Sequence, residues 1–359
     1  MSSEGTEKVR VLVVDDSSLV RTILRNGLSA DPEIEVIATA RDPYEARDIL
    51  VRERPDVMTL DVEMPRMDGV TFLRKFMAVL PTPTVVLSSL TSRGTKLSVE
   101  ALEAGAVDVL AKPSSGVAGG LDGMMKELRK RVKAAARVRV SARTSEVAHV
   151  NETALSESTD RVIALGASTG GVAALTRILP AFPRNAPGIV IVQHMPAGFT
   201  RDFADRLSGL CKMTVREAVD GDRVLLGQIL VAPGGTRHLE VRRFGGEYRV
   251  KLEEGPPVSG HVPSVDRFFS SVAKYVGPNA VACLLTGMGE DGARGLLHVR
   301  AAGGRTFAQD EATCAVWGMP AAAAHLGAAE ALVPLHEIPL AVLTAHRARR
   351  SAHPAPPAR

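Results

Sequence analysis

From Val9 onward, short apolar runs alternate with segments in which apolar residues recur every three or four positions. Val9–Val14, Ile34–Thr39, Val57–Leu60, Thr84–Leu87 and Val107–Leu110 are continuously apolar enough to be strands covered on both faces. Between them, Leu19, Ile23, Leu24 and Leu28 keep helical spacing, as do Val70, Leu73 and Met77. A last helix is expected from Leu121 to near Arg137. The apolar rhythm then stops over Ser141–Asp160, which has the Ser, Thr and Glu content of a linker.

The alternation resumes with Val162–Leu165, then Ile189–Val192, each followed by a helix-like segment, the second over Phe199–Leu210. Shorter β pieces follow at Gln228–Ala232, His238–Phe244 and Tyr248–Leu252, the last two joined by Gly245-Gly246 as a hairpin. A helix over Ser264–Tyr275, a strand over Ala280–Leu285 and a helix after Gly292 through Ala301 restore the α/β pattern. The fold class is α/β: two doubly wound parallel-sheet domains, the first flavodoxin-like with strand order 2-1-3-4-5, the second carrying a β-hairpin insertion. Expected boundaries are 1–125 for the first domain, 126–158 for the linker with the end of the last helix, 159–350 for the second domain, and a disordered tail at 351–359.

Composition narrows the classes. With 359 residues, 45% apolar and 23% charged, the chain has material for two cores. No apolar run is long enough to cross a bilayer and Met1–Lys8 lacks a signal-peptide core, so a cytoplasmic protein without direct membrane insertion is expected. Cys211, Cys283 and Cys314 show no metal-site spacing and read as reduced core residues. The net charge of +4 is local: Lys126–Arg143 holds eight Lys or Arg against Glu127 alone. No helix-turn-helix, aromatic platform or zinc motif accompanies it, so nucleic acid is not an expected partner.

Ligands bind at the carboxyl ends of strands in a doubly wound sheet. There the first domain places Asp15 and Asp16, Asp61, Ser88, and Lys112 followed by Pro113. Crowded carboxylates repel unless a hard divalent cation joins them, and Mg²⁺ suits so few ligands; a lysine and a hydroxyl beside them suit a phosphoryl oxygen. Alternatively each Asp is a helix N-cap. The segments Val13–Ser17, Asp61–Gly69 and Ala111–Pro113 resemble a two-component receiver domain over residues 8–125. The resemblance implies Asp61 as acceptor of a phosphoryl group from a histidine kinase. It implies Mg²⁺ on Asp16, Asp61 and the Glu63 carbonyl with Asp15 nearby, and Ser88 and Lys112 on the phosphoryl oxygens. Val109 stands where many receivers carry a switch aromatic.

In the second domain, Gly166-Ala167-Ser168-Thr169-Gly170-Gly171 is a strand–glycine turn–helix junction. It suits a raised nucleophile or a phosphate cradle. Ser168, His194 and Asp291 each follow a predicted strand. If those strands are neighbours, the imidazole can take the serine proton and the carboxylate can orient the imidazole. The Thr169 N–H and N–H groups of Gly287-Met288-Gly289 are candidate oxyanion donors. A dinucleotide turn, a structural His194, Asp291 as the cap of the following helix, Asp266 or Asp310 as the carboxylate, and His238 or His261 as the base remain open.

Gly166–Gly171, Gln193–Pro196, Pro263–Asp266 and Leu285–Gly292 together resemble the chemotaxis-type protein-glutamate methylesterase family over residues 159–345, in its receiver–linker–esterase order. The resemblance implies Ser168 as nucleophile, His194 as general base then acid, Asp291 as orienter and the Met288 N–H as oxyanion donor, with no cofactor for ester hydrolysis. Its substrates are methylated glutamates on the cytoplasmic helices of chemoreceptors, with glutamine deamidation in many members. The domain order leads to the expectation that the unphosphorylated receiver covers the Ser168 site and that phosphorylation at Asp61 lifts the block. A nucleotide- or partner-binding response regulator and a DNA-binding regulator using Lys126–Arg143 are the alternatives.

Overall fold

The computed structural model describes residues 7–112, 118–138 and 161–348, so Pro113, most of the expected linker and the expected tail lie outside the described residues. The chain falls into two compact units, Met1–Arg143 and Thr144–Arg359.

The first unit runs β1 (Val9–Val14), α1 (Ser18–Ser29), β2 (Ile34–Ala40), α2 (Pro43–Glu53), β3 (Val57–Asp61), α3 (Gly69–Phe76), β4 (Thr84–Ser88), α4 (Ser92–Glu103), β5 (Asp108–Ala111) and α5 (Ala118–Ala135). Its sheet is wholly parallel with order β2-β1-β3-β4-β5, the order expected of a flavodoxin-like fold. Side-chain oxygens of Ser17, Asp42, Asp68 and Thr91 cap α1 to α4 by accepting first-turn N–H groups. The caps of α1 and α3 are therefore not Asp15, Asp16 or Asp61, and the capping explanation for those three carboxylates does not hold.

Helix α5 begins before Leu121 and buries Leu128, Val132 and Ala135 completely, so residues beyond 125 still belong to the core of this unit. Three of its basic residues are engaged internally. Arg129 donates to the Gly27 carbonyl, Arg131 is clamped between Asp108 and Glu127, and Lys133 reaches Asp31 and Glu33. Lys126, Lys130 and Arg137 stay exposed.

The second unit contains β6 (Val162–Ala167), α6 (Gly171–Ile178), β7 (Gly188–Gln193), α7 (Phe199–Ser208), β8 (Thr214–Glu217), β9 (Gln228–Val231), β10 (Arg237–Phe244), β11 (Glu247–Glu254), α8 (Val265–Tyr275), β12 (Ala280–Leu284), α9 (Ala293–Ala301), β13 (Arg305–Gln309), α10 (Met319–His325), β14 (Ala331–Val333) and α11 (Ile338–Ala348). Seven strands form a parallel sheet in the order β14-β13-β12-β6-β7-β9-β8. The short β piece at Gln228 belongs to this sheet, beside β7, and not with the hairpin. Strands β10 and β11 form the expected antiparallel hairpin, in register from Arg237↔Glu254 to Phe244↔Glu247. Its inward face, Leu239, Val241, Val250 and Leu252, joins a core with Phe268, Phe269 and Val272 of α8. Strands β8 and β13 have no apolar run to announce them, and β14 is only three residues long. In β13 the buried polar groups are bonded instead: the Thr306 hydroxyl donates to the Ala328 carbonyl and the Gln309 amide to the Thr313 carbonyl.

Candidate active sites

Sheet order decides which rim residues meet. In the first unit β1 pairs with β3, so Asp15 and Asp16 lie next to Asp61. One oxygen from each of these three carboxylates lies within 4.8 Å of the others. Lys112, which follows β5, reaches across: its Nζ donates to Asp15 Oδ2 at 2.8 Å and to Asp61 Oδ2 at 2.7 Å. Burial pushes the Asp15 carboxyl above its ordinary value although Lys112 pulls the other way. Burial opposes the Lys112 charge as well, but the attraction of Asp61 and Asp15 outweighs it and raises the ammonium.

The other Asp61 oxygen accepts the Glu63 N–H at 3.0 Å, and the Glu63 side chain is held by the Ser89 hydroxyl. Ser88 ends β4 fully buried; its carbonyl accepts the Lys112 N–H at 2.8 Å and its hydroxyl donates to the Ser89 carbonyl, with no bond from that hydroxyl to Asp61 or Lys112 among the described residues. Val109 is buried in β5 with its N–H on Asp108. Three carboxylates and a neighbouring carbonyl-bearing residue are the hard oxygen donor set that Mg²⁺ takes.

In the second unit β6 lies between β12 and β7, so the turns after three adjacent strands bring Ser168, Asp291 and His194 together. His194 Nδ1 is 3.1 Å from Ser168 Oγ, and His194 Nε2 is 2.8 Å from Asp291 Oδ2. A carboxylate only accepts, so Nε2 carries the proton and Nδ1 is left with a lone pair facing the serine hydroxyl. Ser168 is half-buried, whereas His194 and Asp291 are buried. Among the described residues only Arg54, Arg66 and Ser259 of the non-glycine residues have left-handed φ, so Ser168 is presented without the backbone strain of a sharp nucleophile elbow. The left-handed step falls two residues on, at Gly170, with φ 77°.

The glycines of the turn serve protein packing. A Cβ at Gly170 would lie 2.4 Å from Ala315 Cβ, one at Gly166 2.3 Å from Val265 Cγ1, and one at Gly171 2.0 Å from Gln193 Oε1. The space that a phosphate cradle would leave open is filled by these neighbours, and β7 ends in Gln193-His194 without the acid a ribose needs.

Asp291 does not cap its own helix. Gly292 occupies that position without a side-chain bond, and the carboxylate turns to the start of α8. There it accepts the Ser264 hydroxyl at 2.8 Å and the N–H groups of Val265 and Asp266 at 2.7 and 3.0 Å. Burial alone would raise this carboxyl; the His194, Ser264 and Asp266 bonds outweigh it and hold Asp291 below its ordinary value.

The rival residues have other work. Asp266 Oδ1 accepts the Gly295 N–H, and Asp310 caps the short turn at Thr313. His238 is fully buried on β10; its Nδ1 accepts the Ser264 N–H, which leaves Nε2 to donate to the Pro256 carbonyl. His261 stacks on the His194 ring, with centroids 3.8 Å apart and planes 9° from parallel.

Three supports escaped the sequence reading. Gln193 donates its amide to the Ser168 carbonyl at 2.9 Å and the His194 carbonyl at 3.2 Å, tying nucleophile to base. Thr286 accepts the Ser168 N–H on its carbonyl and donates its hydroxyl to the Thr169 carbonyl. Ser264 is legible as a helix cap, but not as a ligand of Asp291. Met288 lies just beyond Thr286, and its N–H meets no protein acceptor among the described residues. Thr169, buried, directly follows the serine.

Known proteins resemble both units of the chain. The CheB methylesterase family model matches residues 163–342 and the response regulator receiver domain model matches residues 11–118. A protein-glutamate methylesterase/protein-glutamine glutaminase of Syntrophotalea carbinolica is 55% identical over 336 residues, 92% of this chain and 95% of that protein. One from Pseudomonas aeruginosa is 52% identical, covering 93% of this chain and 96% of its own. The crystal structure of the Thermotoga maritima CheB methylesterase catalytic domain, 36% identical, superposes with a TM-score of 0.50 over 53% of this chain and 99% of that one.

Proposed function

The chain belongs to the CheB methylesterase family, with a receiver domain ahead of the catalytic domain, and we propose that Ser168, His194 and Asp291 carry its hydrolysis of glutamate γ-methyl esters. The observation that carries this reading is the unbroken hydrogen-bond chain from Ser168 Oγ through His194 to Asp291.

In this mechanism His194 Nδ1 takes the Ser168 proton as Oγ bonds the γ-carbonyl carbon, and the Nε2–H stays on Asp291, which stabilises the imidazolium. The oxyanion is met by the N–H groups of Met288 and Thr169. The C–OCH₃ bond then breaks, His194 returns the proton to the departing methanol, and an acyl-enzyme remains. Water, deprotonated by His194, attacks the acyl carbon and restores Ser168. A glutamine side chain enters the same route with ammonia as leaving group. The substrates on this reading are glutamate and glutamine side chains on the cytoplasmic helices of chemoreceptors, which places the protein in the cytoplasm.

The receiver is the switch on this reading: Asp61 takes a phosphoryl group from a histidine kinase, Lys112 and Ser88 hold its oxygens, and the modified domain releases its restraint on hydrolysis. Asp16, Asp61 and the Glu63 carbonyl, with Asp15 beside them, would hold Mg²⁺, which supplies charge neutralisation for the incoming phosphoryl oxygens. The donor set supports this, since three carboxylates share one small site with a single lysine.

Methanol release from a methylated receptor, with and without a small phosphoryl donor, tests both parts. Wild type should accelerate with the donor and Ser168→Ala should be inactive in either condition. Equal wild-type rates would remove the switch; hydrolysis by Ser168→Ala would remove the triad.

A further inference from the structure

Resting on the triad reading, we infer that His261 is a positioning residue for the general base, holding the His194 ring in the triad plane and supporting its charged form through face-to-face contact. The two imidazoles lie 3.8 Å apart and 9° from parallel. Both ring nitrogens of His194 are committed edgewise, Nδ1 to Ser168 and Nε2 to Asp291. What those bonds leave undetermined is rotation of the ring out of the plane they share. A second ring lying flat on one face blocks that rotation and keeps water off that face. When the serine proton reaches Nδ1, the positive charge spreads over the ring, and the face of a stacked aromatic ring offers it a π-surface.

The backbone around His261 is built to hold the ring there. Val258 and His261 exchange both backbone N–H···O bonds, at 3.1 and 2.9 Å, closing a tight turn. Its two central residues, Ser259 and Gly260, have φ of 51° and 81°, a conformation that a serine adopts only where its surroundings demand it. Three residues after His261, Ser264 bonds Asp291, as do the next two amides. One short segment, 258–266, thus fixes the face of the base and the carboxylate that orients its edge.

The test is steady-state methanol release by the phosphorylated full-length protein. His261→Ala should lower kcat about tenfold, the effect of a modest loss of transition-state support, while KM moves less than about twofold. His261→Phe, which restores a flat ring without a titrating nitrogen, should recover most of kcat. Unchanged kcat in His261→Ala, or a His261→Phe no better than His261→Ala when both melt like wild type, would overturn the inference. If His261→Ala does not fold, the kcat of His261→Phe alone decides: near wild type sustains the role, tenfold loss removes it. Ser168→Ala run in parallel separates the two readings, because survival of its activity removes the triad and not merely the stack.

Discussion

Asp291 and Asp266 exchange helix caps. Asp291, just ahead of α9, accepts the Asp266 N–H at the start of α8 at 3.0 Å, and Asp266 Oδ1 accepts the Gly295 N–H in the first turn of α9 at 2.7 Å. Each carboxylate lies at the positive end of the other's helix. The approach is close enough that a Cβ on Gly295 would come within 2.7 Å of the Asp266 carbonyl oxygen. The orientation of His194 is in this way tied to the packing of two helices.

Asp266→Ala removes the cap on α9 and should destabilise the protein by about 1 kcal/mol, within the usual range for a lost cap. Asp266→Asn keeps an oxygen for Gly295 and sheds a charge that burial and Asp291 both disfavour, so it should stay close to wild type. Denaturant unfolding of the two variants distinguishes them.

Asp291→Asn should leave a folded protein whose kcat is lower by about 10³–10⁴-fold: with its NH₂ toward His194 the amide imposes the wrong tautomer, and with its oxygen there it lacks the charge that stabilises the imidazolium. Its NH₂ would also face the Val265 or Asp266 amide in place of an acceptor. Kinetics with circular dichroism on the same sample check this; activity within tenfold of wild type would contradict it.

Stability should fall as pH drops below 6.5, in part through His238. Burial pushes this imidazole below its ordinary value of 6.5, against the opposing bond to the Pro256 carbonyl. Between the lowered value and 6.5 the unfolded chain binds a proton that the folded chain refuses, so the contribution is whole above that window and lost on descending through it. Melting temperatures of wild type and His238→Asn across the window should show a shallower slope in the variant.

Lys112→Ala should leave Asp15 and Asp61 facing each other without their cation. Added Mg²⁺ should then raise the melting temperature of the variant more than that of wild type. The same variant, like Asp61→Asn, should show no acceleration of methanol release by a phosphoryl donor. A smaller Mg²⁺ response than wild type would argue against the carboxylates as the cation site.

Much of this was legible along the chain. Continuous apolar runs and period-3.6 patterns mark elements by what they bury, so β1 to β5 followed from the runs at Val9, Ile34, Val57, Thr84 and Val107, and their order from the flavodoxin-like fold that five βα units fit. Ser168, His194 and Asp291 were readable as strand-end residues because chemistry in these folds gathers at one rim. The polar strand β13 was not readable: the partners that satisfy Thr306 and Gln309 lie 22 and 4 residues away in loops. Nor was the choice of carboxylate. Local sequence makes Asp291 a plausible cap for its own helix and Asp266 an equal rival for His194. Only the placement of β12, β6 and β7 side by side, with α8 packed against α9, gives Asp291 four donors and turns Asp266 to Gly295. The sequence by itself determined the elements and the residues at their ends, because burial patterns are local. Which end groups share a hydrogen bond was decided by tertiary packing, because a polar side chain takes whichever partner the fold brings within 3 Å.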